Sequence, residues 1–222
     1  MKEYLKIFLL PLLFLFSQFL FLFIAGVIYS FFDDLSKFSS FINNNSYIIM
    51  ILNLIIFLPI FKQKYKEYQD EYNENSKNLF KIYIIGLILS LSLNFIIYYI
   101  KLKMNVEMSQ SFSLWNLINT IIVGPILEEY LFRGIIYNKI KDISNSKKAL
   151  IITSMIFAII HVNLLNIIYG LIMGLVLNII YIKGKNLKYS IYFHIIINFI
   201  GSLIFPILVT LWVLSVKSFG DF

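Results

Sequence analysis

Three short motifs place polar and ionisable side chains inside apolar stretches of the chain. The residues concerned are Glu128, Glu129, Arg133, His161, His194 and Asn198. The chain has only two histidines, and both belong to this set. A charge at the middle of a bilayer costs roughly 2.5–3.5 kcal/mol on insertion scales, so such residues are functional candidates by default. Their types indicate a hydrolytic site inside a membrane.

The two carboxylates of the acidic motif are predicted to have different roles, because they are adjacent in the sequence. Neighbouring residues on a helix point about 100° apart, since the helix has 3.6 residues per turn, so Glu128 and Glu129 cannot share one orientation. Arg133 lies four residues after Glu129, a spacing at which an acid and a base meet on one helix face. The sequence therefore predicts a Glu129–Arg133 ion pair, with Glu128 facing the site. A buried Glu128 carboxyl satisfied by polar neighbours is the alternative.

The two histidine motifs have the same internal spacing. Phe157 and His161 are four residues apart, so the ring can pack under the imidazole. His194 and Asn198 share one helix face, and an imidazole with a carboxamide supplies donors suited to an oxyanion. A carboxylate with an imidazole can activate water. Convergence of these groups from three segments predicts a catalytic arrangement.

The acidic motif follows Gly124-Pro125 directly. Proline lacks a backbone donor and clashes with the preceding turn, but it is well tolerated in a first turn. We therefore expect the helix that carries Glu128 to begin or bend at Pro125. The carboxylates would then lie near a helix N-terminus, where the dipole favours anions.

Composition identifies the kind of protein that must hold these motifs. Hydrophobic residues make up 59% of the 222 residues and charged residues only 14%, whereas soluble domains have about 25% charged residues. The predicted fold is all-α, a polytopic membrane protein with seven or eight transmembrane helices. Cysteine is absent, which excludes disulfides and thiolate chemistry. The net charge of +7 comes from lysines beside apolar segments and not from a basic stripe, so nucleic-acid binding is excluded.

Apolar runs near the length of a membrane helix define the organisation. The predicted spans are 6–31, 47–61, 80–100, 114–138, 148–161, 166–182, 188–204 and 206–216. Residues 32–46 are predicted as an outer loop, and 62–78 as a cytoplasmic loop or short surface helix. We divide the chain into N-terminal helices (1–113), a core that carries the motifs (114–204) and a C-terminal helix and tail (205–222).

Lysine distribution predicts the orientation of these spans. With eight spans and a cytoplasmic N-terminus, fifteen lysines fall on the cytoplasmic side and three on the other. Cytoplasmic loops carry an excess of basic residues. We therefore expect a multi-pass protein with both termini in the cytoplasm. The heavy use of Ile, Asn and Lys, together with short loops, indicates a bacterial source, so the expected location is a bacterial cell membrane.

Taken in order, Glu-Glu-x-x-x-Arg, Phe-x-x-x-His and His-x-x-x-Asn on apolar segments resemble a known family. It is the CAAX-protease and bacteriocin-processing (CPBP) family of intramembrane proteases, also called Abi, and the resemblance covers about residues 114–202. It implies an all-helical core whose site opens to a cavity toward the cytoplasmic side. It also implies that Glu128 activates water with help from His161, that His194 and Asn198 stabilise the oxyanion, and that Glu129 and Arg133 support them.

Two chemistries remain open for such a site. The family is often labelled metalloprotease, and Glu128, His161 and His194 could form the His2Glu ligand set of a catalytic zinc ion. The His-Glu-x-x-His spacing is absent, however, and Asn198 suits an oxyanion better than a zinc site. We therefore favour hydrolysis by a glutamate-activated water with no cofactor, and keep a divalent metal such as Zn²⁺ as the alternative.

The expected function is endoproteolysis of membrane-associated or exported peptides, in peptide or bacteriocin maturation or in self-immunity. The expected partners are a peptide substrate and the lipid bilayer. A non-catalytic immunity or scaffold protein is the first alternative. An ion-coupled transporter is the second, but the motifs do not recur in the first half of the chain as an inverted repeat would require.

Overall fold

The fold is a bundle of helices, seen in a computed structural model. The model describes residues 38–69, 79–104, 114–161 and 163–220, together with scattered positions between Leu9 and Phe31. Helices are the only regular elements in these residues, so the predicted all-α class is confirmed. The first predicted span, 6–31, lies largely outside the described residues. At its described positions it is mostly helical, and Phe14 packs on Phe57 and Phe61.

Six helices carry the described part of the chain from residue 38 onward, and we number them in chain order. They are α1 (Phe38–Gln69), α2 (Leu79–Lys103), α3 (114–143), α4 (Ser146–Ile159), α5 (Leu164–Gly184) and α6 (187–220). The helices α3 and α6 are continuous but contain π-helical turns. These turns are Asn119–Val123 and Tyr130–Tyr137 in α3, and Ile200–Ile204 in α6.

Three of these helices are long and apolar enough to cross a membrane, judged by length and composition over the described residues. They are Leu79–Lys103, Leu164–Gly184 and Leu187–Trp212. This agrees with a helical membrane protein, whereas the predicted total of seven or eight spans stays a prediction. The 14-residue helix α4 is about 21 Å long, which is shorter than the hydrocarbon core of about 30 Å.

The separation of residues 188–204 and 206–216 into two spans is wrong. One helix runs from Leu187 through Pro206 to Gly220. A π-helical turn ends at Ile204, just before the proline. Local π adjustments of this kind absorb the missing donor and the bulk of a proline, so the helix continues where the sequence suggested a break.

The predicted outer loop over 32–46 also needs correction. Residues 32–37 lie outside the described part of the chain, but 38–46 form the start of α1, which contains the predicted span 47–61. At its other end α1 continues to Gln69, so the first part of the predicted polar segment 62–78 is helical and 70–78 is not described. Extending the helix keeps its backbone groups hydrogen-bonded near the membrane, where unpaired groups are costly.

Asparagine caps and glycines set the packing of the helices around the site. Asn145 and Asn163 accept hydrogen bonds from the first turns of α4 and α5, the role in which asparagine is favoured. Gly170 and Gly174 of α5 lie against α4, where a Cβ on Gly174 would come within 3.2 Å of the Phe157 ring. This close approach holds α4 and α5 together within one chain.

Candidate functional site

The motif side chains line one cavity of about 230 Å³ between α3, α4, α5 and α6. Its walls are formed by Asn119, Thr120, Gly124, Glu128, Phe157, His161, Tyr169, Gly170, Met173, Leu177, His194, Ile197 and Asn198. Glu129 and Arg133 lie behind this wall and are fully buried. The structure therefore separates the two carboxylates by role, since one reaches the cavity and the other does not.

Glu129 is the acceptor that holds the buried charges together. Its Oε1 accepts from Arg133 Nη1 at 2.7 Å and lies 2.8 Å from His194 Nδ1. The first contact is the i,i+4 pair that the spacing predicts, and the second joins α3 to α6. A buried charge persists only with such partners. Glu129 thus links the arginine of its own helix to the histidine of another.

Arg133 is fixed by three kinds of contact. Besides Glu129, its Nη2 donates to the carbonyl of Gly174 at 3.2 Å, and its guanidinium lies 4.5 Å from the centre of the Phe157 ring. The contact with Gly174 joins α3 to α5, and the ring contact is a cation–π interaction. Arg133 therefore connects three helices around one buried charge.

The contact with Glu129 determines how His194 can act. A carboxylate accepts hydrogen bonds, so the Nδ1 atom of His194 carries hydrogen and its Nε2 faces the site. That Nε2 lies 3.8 Å from Glu128 Oε2. To donate from Nε2 to an oxyanion as well, the ring must be an imidazolium. A neutral ring would instead present an acceptor.

His161 is oriented by the last turn of the helix that precedes it. Its Nδ1 lies 2.8 Å from the carbonyl oxygen of Phe157. A carbonyl only accepts, so Nδ1 carries the hydrogen and Nε2 of a neutral ring keeps a lone pair. The imidazole also packs against the Phe157 ring at 5.0 Å between centroids and against Gly170. This arrangement suits a group that accepts a hydrogen bond from water.

Asn198 has a structural contact that the motif spacing does not reveal. The π turn pairs the Gly124 N–H with the carbonyl of Asn119, and Pro125 has no N–H. In an α- or π-helix, the Thr120 carbonyl would accept from the N–H of Gly124 (i+4) or of residue 125 (i+5). The first bonds Asn119 and the second does not exist, so neither reaches this carbonyl. Asn198 Nδ2 donates to this carbonyl at 2.8 Å. The carboxamide retains one further N–H for the cavity.

A pair of substitutions separates these two uses of the Asn198 carboxamide. Asn198→Ala should lower activity by about 10²–10³-fold if an oxyanion donor is lost, and should also destabilise the protein. Adding Pro125→Ala supplies an N–H that can bond the Thr120 carbonyl. We expect the double variant to regain thermal stability but not turnover, with Pro125→Ala alone as its reference. Recovery of turnover would show that Asn198 acts only on the backbone.

Two aromatic residues have contacts in the site that the sequence did not predict. Phe157 contacts His194 and Phe132 as well as His161 and Arg133. Tyr169 also lines the cavity, and its hydroxyl lies 2.8 Å from Ser90 Oγ. Tyr169 lies four residues before Met173 on an apolar helix. Residues of an ordinary hydrophobic core have the same spacing, so the sequence did not mark Tyr169 as part of a site.

The ligand set of the alternative zinc site is not assembled in the described residues. No group of three His, Asp or Glu side chains there is arranged to hold a metal ion. These residues as arranged do not fit a His2Glu metal centre, and no step below depends on a metal.

Comparison with known proteins supports the resemblance based on the three motifs. Residues 110–200 match the sequence model of the family described as type II CAAX prenyl endopeptidase Rce1-like. The chain is also 36% identical over 77 residues to a Bacillus subtilis (strain 168) protein named "Putative membrane peptidase YdiL". That alignment covers 35% of this chain and 32%, about a third, of the relative. No solved structure matches the chain significantly.

Proposed function

Because residues 110–200 carry the Rce1-like protease pattern, we propose that the protein is an intramembrane endopeptidase that uses a glutamate-activated water. One observation carries this proposal. Glu128 lines the cavity beside both imidazoles and is 24% exposed, whereas Glu129 is fully buried and engaged by Arg133 and His194. Glu128 is therefore available to a water molecule and a substrate.

In the proposed reaction, Glu128 takes a proton from water while the water oxygen attacks the scissile carbonyl carbon. His161 accepts a second hydrogen bond from the same water through Nε2 and so orients it. The carbonyl π bond opens to give an oxyanion. When the C–N bond breaks, the protonated Glu128 returns its proton to the leaving amine. The enzyme regains its starting charge, and the products are a carboxylic acid and an amine.

The oxyanion is stabilised by donors that are already positioned. Nε2–H of a protonated His194 and the free N–H of Asn198 project from one face of α6 toward the cavity. Because Glu129 and the Thr120 carbonyl hold these two side chains, little reorganisation is needed when charge develops. Glu129 and Arg133 are positioning residues in this scheme, since they act through His194.

Chelation provides a direct test of metal independence. We expect purified protein to keep its activity after dialysis against EDTA or 1,10-phenanthroline, and to contain no stoichiometric zinc by elemental analysis. The physical reason is that, among the described residues, Glu128, His161 and His194 are not arranged as a group that could hold a metal ion. Loss of activity that Zn²⁺ restores would instead require a rearranged Glu128, His161 and His194 set.

The proposed substrates are peptides at or in the membrane of a bacterium. We propose a role in peptide or bacteriocin maturation or in self-immunity. The test is a comparison of membrane and secreted peptides between a wild-type strain and a Glu128→Gln strain. Peptides that are cleaved only in the wild type identify substrates. A Glu128→Gln strain that keeps the full phenotype with an unchanged peptide profile would favour a non-catalytic immunity protein.

A further inference from the structure

The two ends of the helical bundle differ sharply in lysine content. At one end lie the C-terminal part of α1, the start of α2, the α3–α4 turn and the α5–α6 turn. Its described lysines are Lys62, Lys64, Lys66, Lys81, Lys139, Lys141, Lys147, Lys148, Lys183, Lys185 and Lys188. We call this the lysine end. At the opposite end of the same helices, the described lysines are Lys101 and Lys103 of α2 and Lys217 of α6.

Contacts between helices confirm that these segments share one end. The backbone N–H of Leu187 donates to the Tyr65 hydroxyl, which joins the last turns of α1 to the start of α6. Tyr83 donates to the carbonyl of Tyr189, which brings the start of α2 to the same level. Tyr137 bonds Ser146 across the α3–α4 turn. The lysine end is therefore a single surface built from six helices.

The cavity is closed on the side that faces the lysine end. A layer of side chains no more than 2% exposed lies between Glu129 and that surface, and it comprises Arg133, Tyr137, Asn138 and Tyr181. Tyr137 and Tyr181 pack edge to face at 5.5 Å, and Asn138 donates to the Tyr181 hydroxyl at 2.8 Å. This layer blocks a path for water or substrate from the lysine end.

The accessible part of the cavity wall lies on the other side of the catalytic groups. Asn119 and Thr120 are exposed, and His161 and Asn198 are partly exposed. Each is farther along its helix from the lysine end than its buried neighbour in the site. Thus Asn198 lies beyond His194 on α6, and His161 lies beyond Phe157 in the turn that follows α4. Glu128 itself is eleven residues from Lys139, or about 16 Å along the helix.

Basic residues concentrate on the cytoplasmic side of membrane proteins, so the lysine end faces the cytoplasm. Because α6 starts at this end and runs as one helix to Gly220, the end of α6 lies on the opposite side, which differs from the cytoplasmic C-terminus predicted from two separate spans. We infer that the site opens toward the extracytoplasmic half of the membrane and takes its substrate from that side. This is opposite to the cytoplasmic opening that the family resemblance implies. The inference rests on the proposed peptidase activity and narrows its substrates to exported peptides or outward-facing segments of membrane peptides. Met173, Leu177 and Ile197 in the cavity wall suit an apolar side chain next to the scissile bond.

The absence of cysteine makes the test direct, because any introduced thiol is unique. Asn119→Cys places a thiol at the exposed cavity wall, and Lys147→Cys places one at the lysine end. Each strain is treated with a membrane-impermeant maleimide before and after permeabilisation, with labelling of denatured protein as the reference. We expect Asn119→Cys to react in intact cells and Lys147→Cys to react only after permeabilisation.

Any other labelling pattern overturns the inference. Asn119→Cys that reacts only after permeabilisation would place the opening on the cytoplasmic side, and a thiol that never reacts in folded protein would mean a closed cavity. Labelling does not require hydrolysis, so the pattern should persist in a Glu128→Gln background. If the peptidase proposal fails while the labelling result holds, the two are thereby distinguished. If both hold, external maleimide should block peptide processing in Asn119→Cys cells but not in Lys147→Cys cells.

Discussion

Replacing Glu128 with glutamine should lower peptide hydrolysis by about 10²–10⁴-fold, the usual contribution of a general base, while the protein stays folded. Glutamine keeps the shape of the side chain but cannot take a proton from water. Its site tolerates the change because Glu128 is 24% exposed and lies 3.8 Å from His194 without a short ion pair. The measurement is kcat of purified protein on a peptide found to be cleaved in cells, together with its thermal unfolding temperature.

Glu67→Gln is the matched control for this experiment. Glu67 is exposed on α1 and pairs with Lys64 at 3.3 Å, so the same chemical change occurs outside the cavity. We expect Glu67→Gln to keep both activity and stability. If Glu128→Gln hydrolyses peptide as fast as the Glu67→Gln control, Glu128 is not the base, and the water must be activated by His161 or His194.

Replacing Arg133 with methionine should destabilise the protein by about 3–5 kcal/mol, the cost of breaking a buried ion pair. Both partners are fully buried, and Arg133 Nη1 lies 2.7 Å from Glu129 Oε1. Methionine fills much of the space of the arginine stem, so the loss reports mainly the unpaired carboxylate and the lost bond to Gly174. The measurement is thermal or denaturant unfolding in a fixed detergent.

A second substitution shows whether the unpaired charge is the cause. Glu129→Gln removes the charge that Arg133→Met leaves behind, and its amide oxygen can still accept from His194 Nδ1. The double variant should therefore be more stable than Arg133→Met alone. Lys64→Met breaks an exposed pair and should cost at most about 1 kcal/mol. If Arg133→Met costs no more than Lys64→Met, the buried network does not stabilise the fold.

Contacts between residues that are close in the sequence could be predicted from their spacing. The contacts of Glu129 with Arg133 and of Phe157 with His161 both join residues four apart in sequence, the first within α3 and the second between the last turn of α4 and the turn that follows it. Helical periodicity alone brings such residues together, so the sequence is sufficient to predict them. The same reasoning assigns different directions to Glu128 and Glu129. The membrane class is equally local, since it follows from composition and the lengths of apolar runs.

Contacts between helices could not be read in the same way. His194 meets Glu129, and Asn198 meets the Thr120 carbonyl, across 65 and 78 residues of sequence. The second contact depends on a π turn before Pro125, and a similar turn before Pro206 keeps α6 continuous where two spans were predicted. Proline signals a disturbed helix, but only packing with neighbours decides whether the helix breaks, bends or absorbs the disturbance.

The sequence by itself determined an all-α membrane protein, six polar residues in three motifs and the pairs within each helix. Only the tertiary structure decided that Glu128 reaches the cavity while Glu129 binds Arg133 and His194, and that a buried layer separates the site from the lysine end. The physical reason is one of range. Periodicity and hydropathy act over a few residues, whereas the direction in which a cavity opens depends on how side chains from several helices fill the space between them.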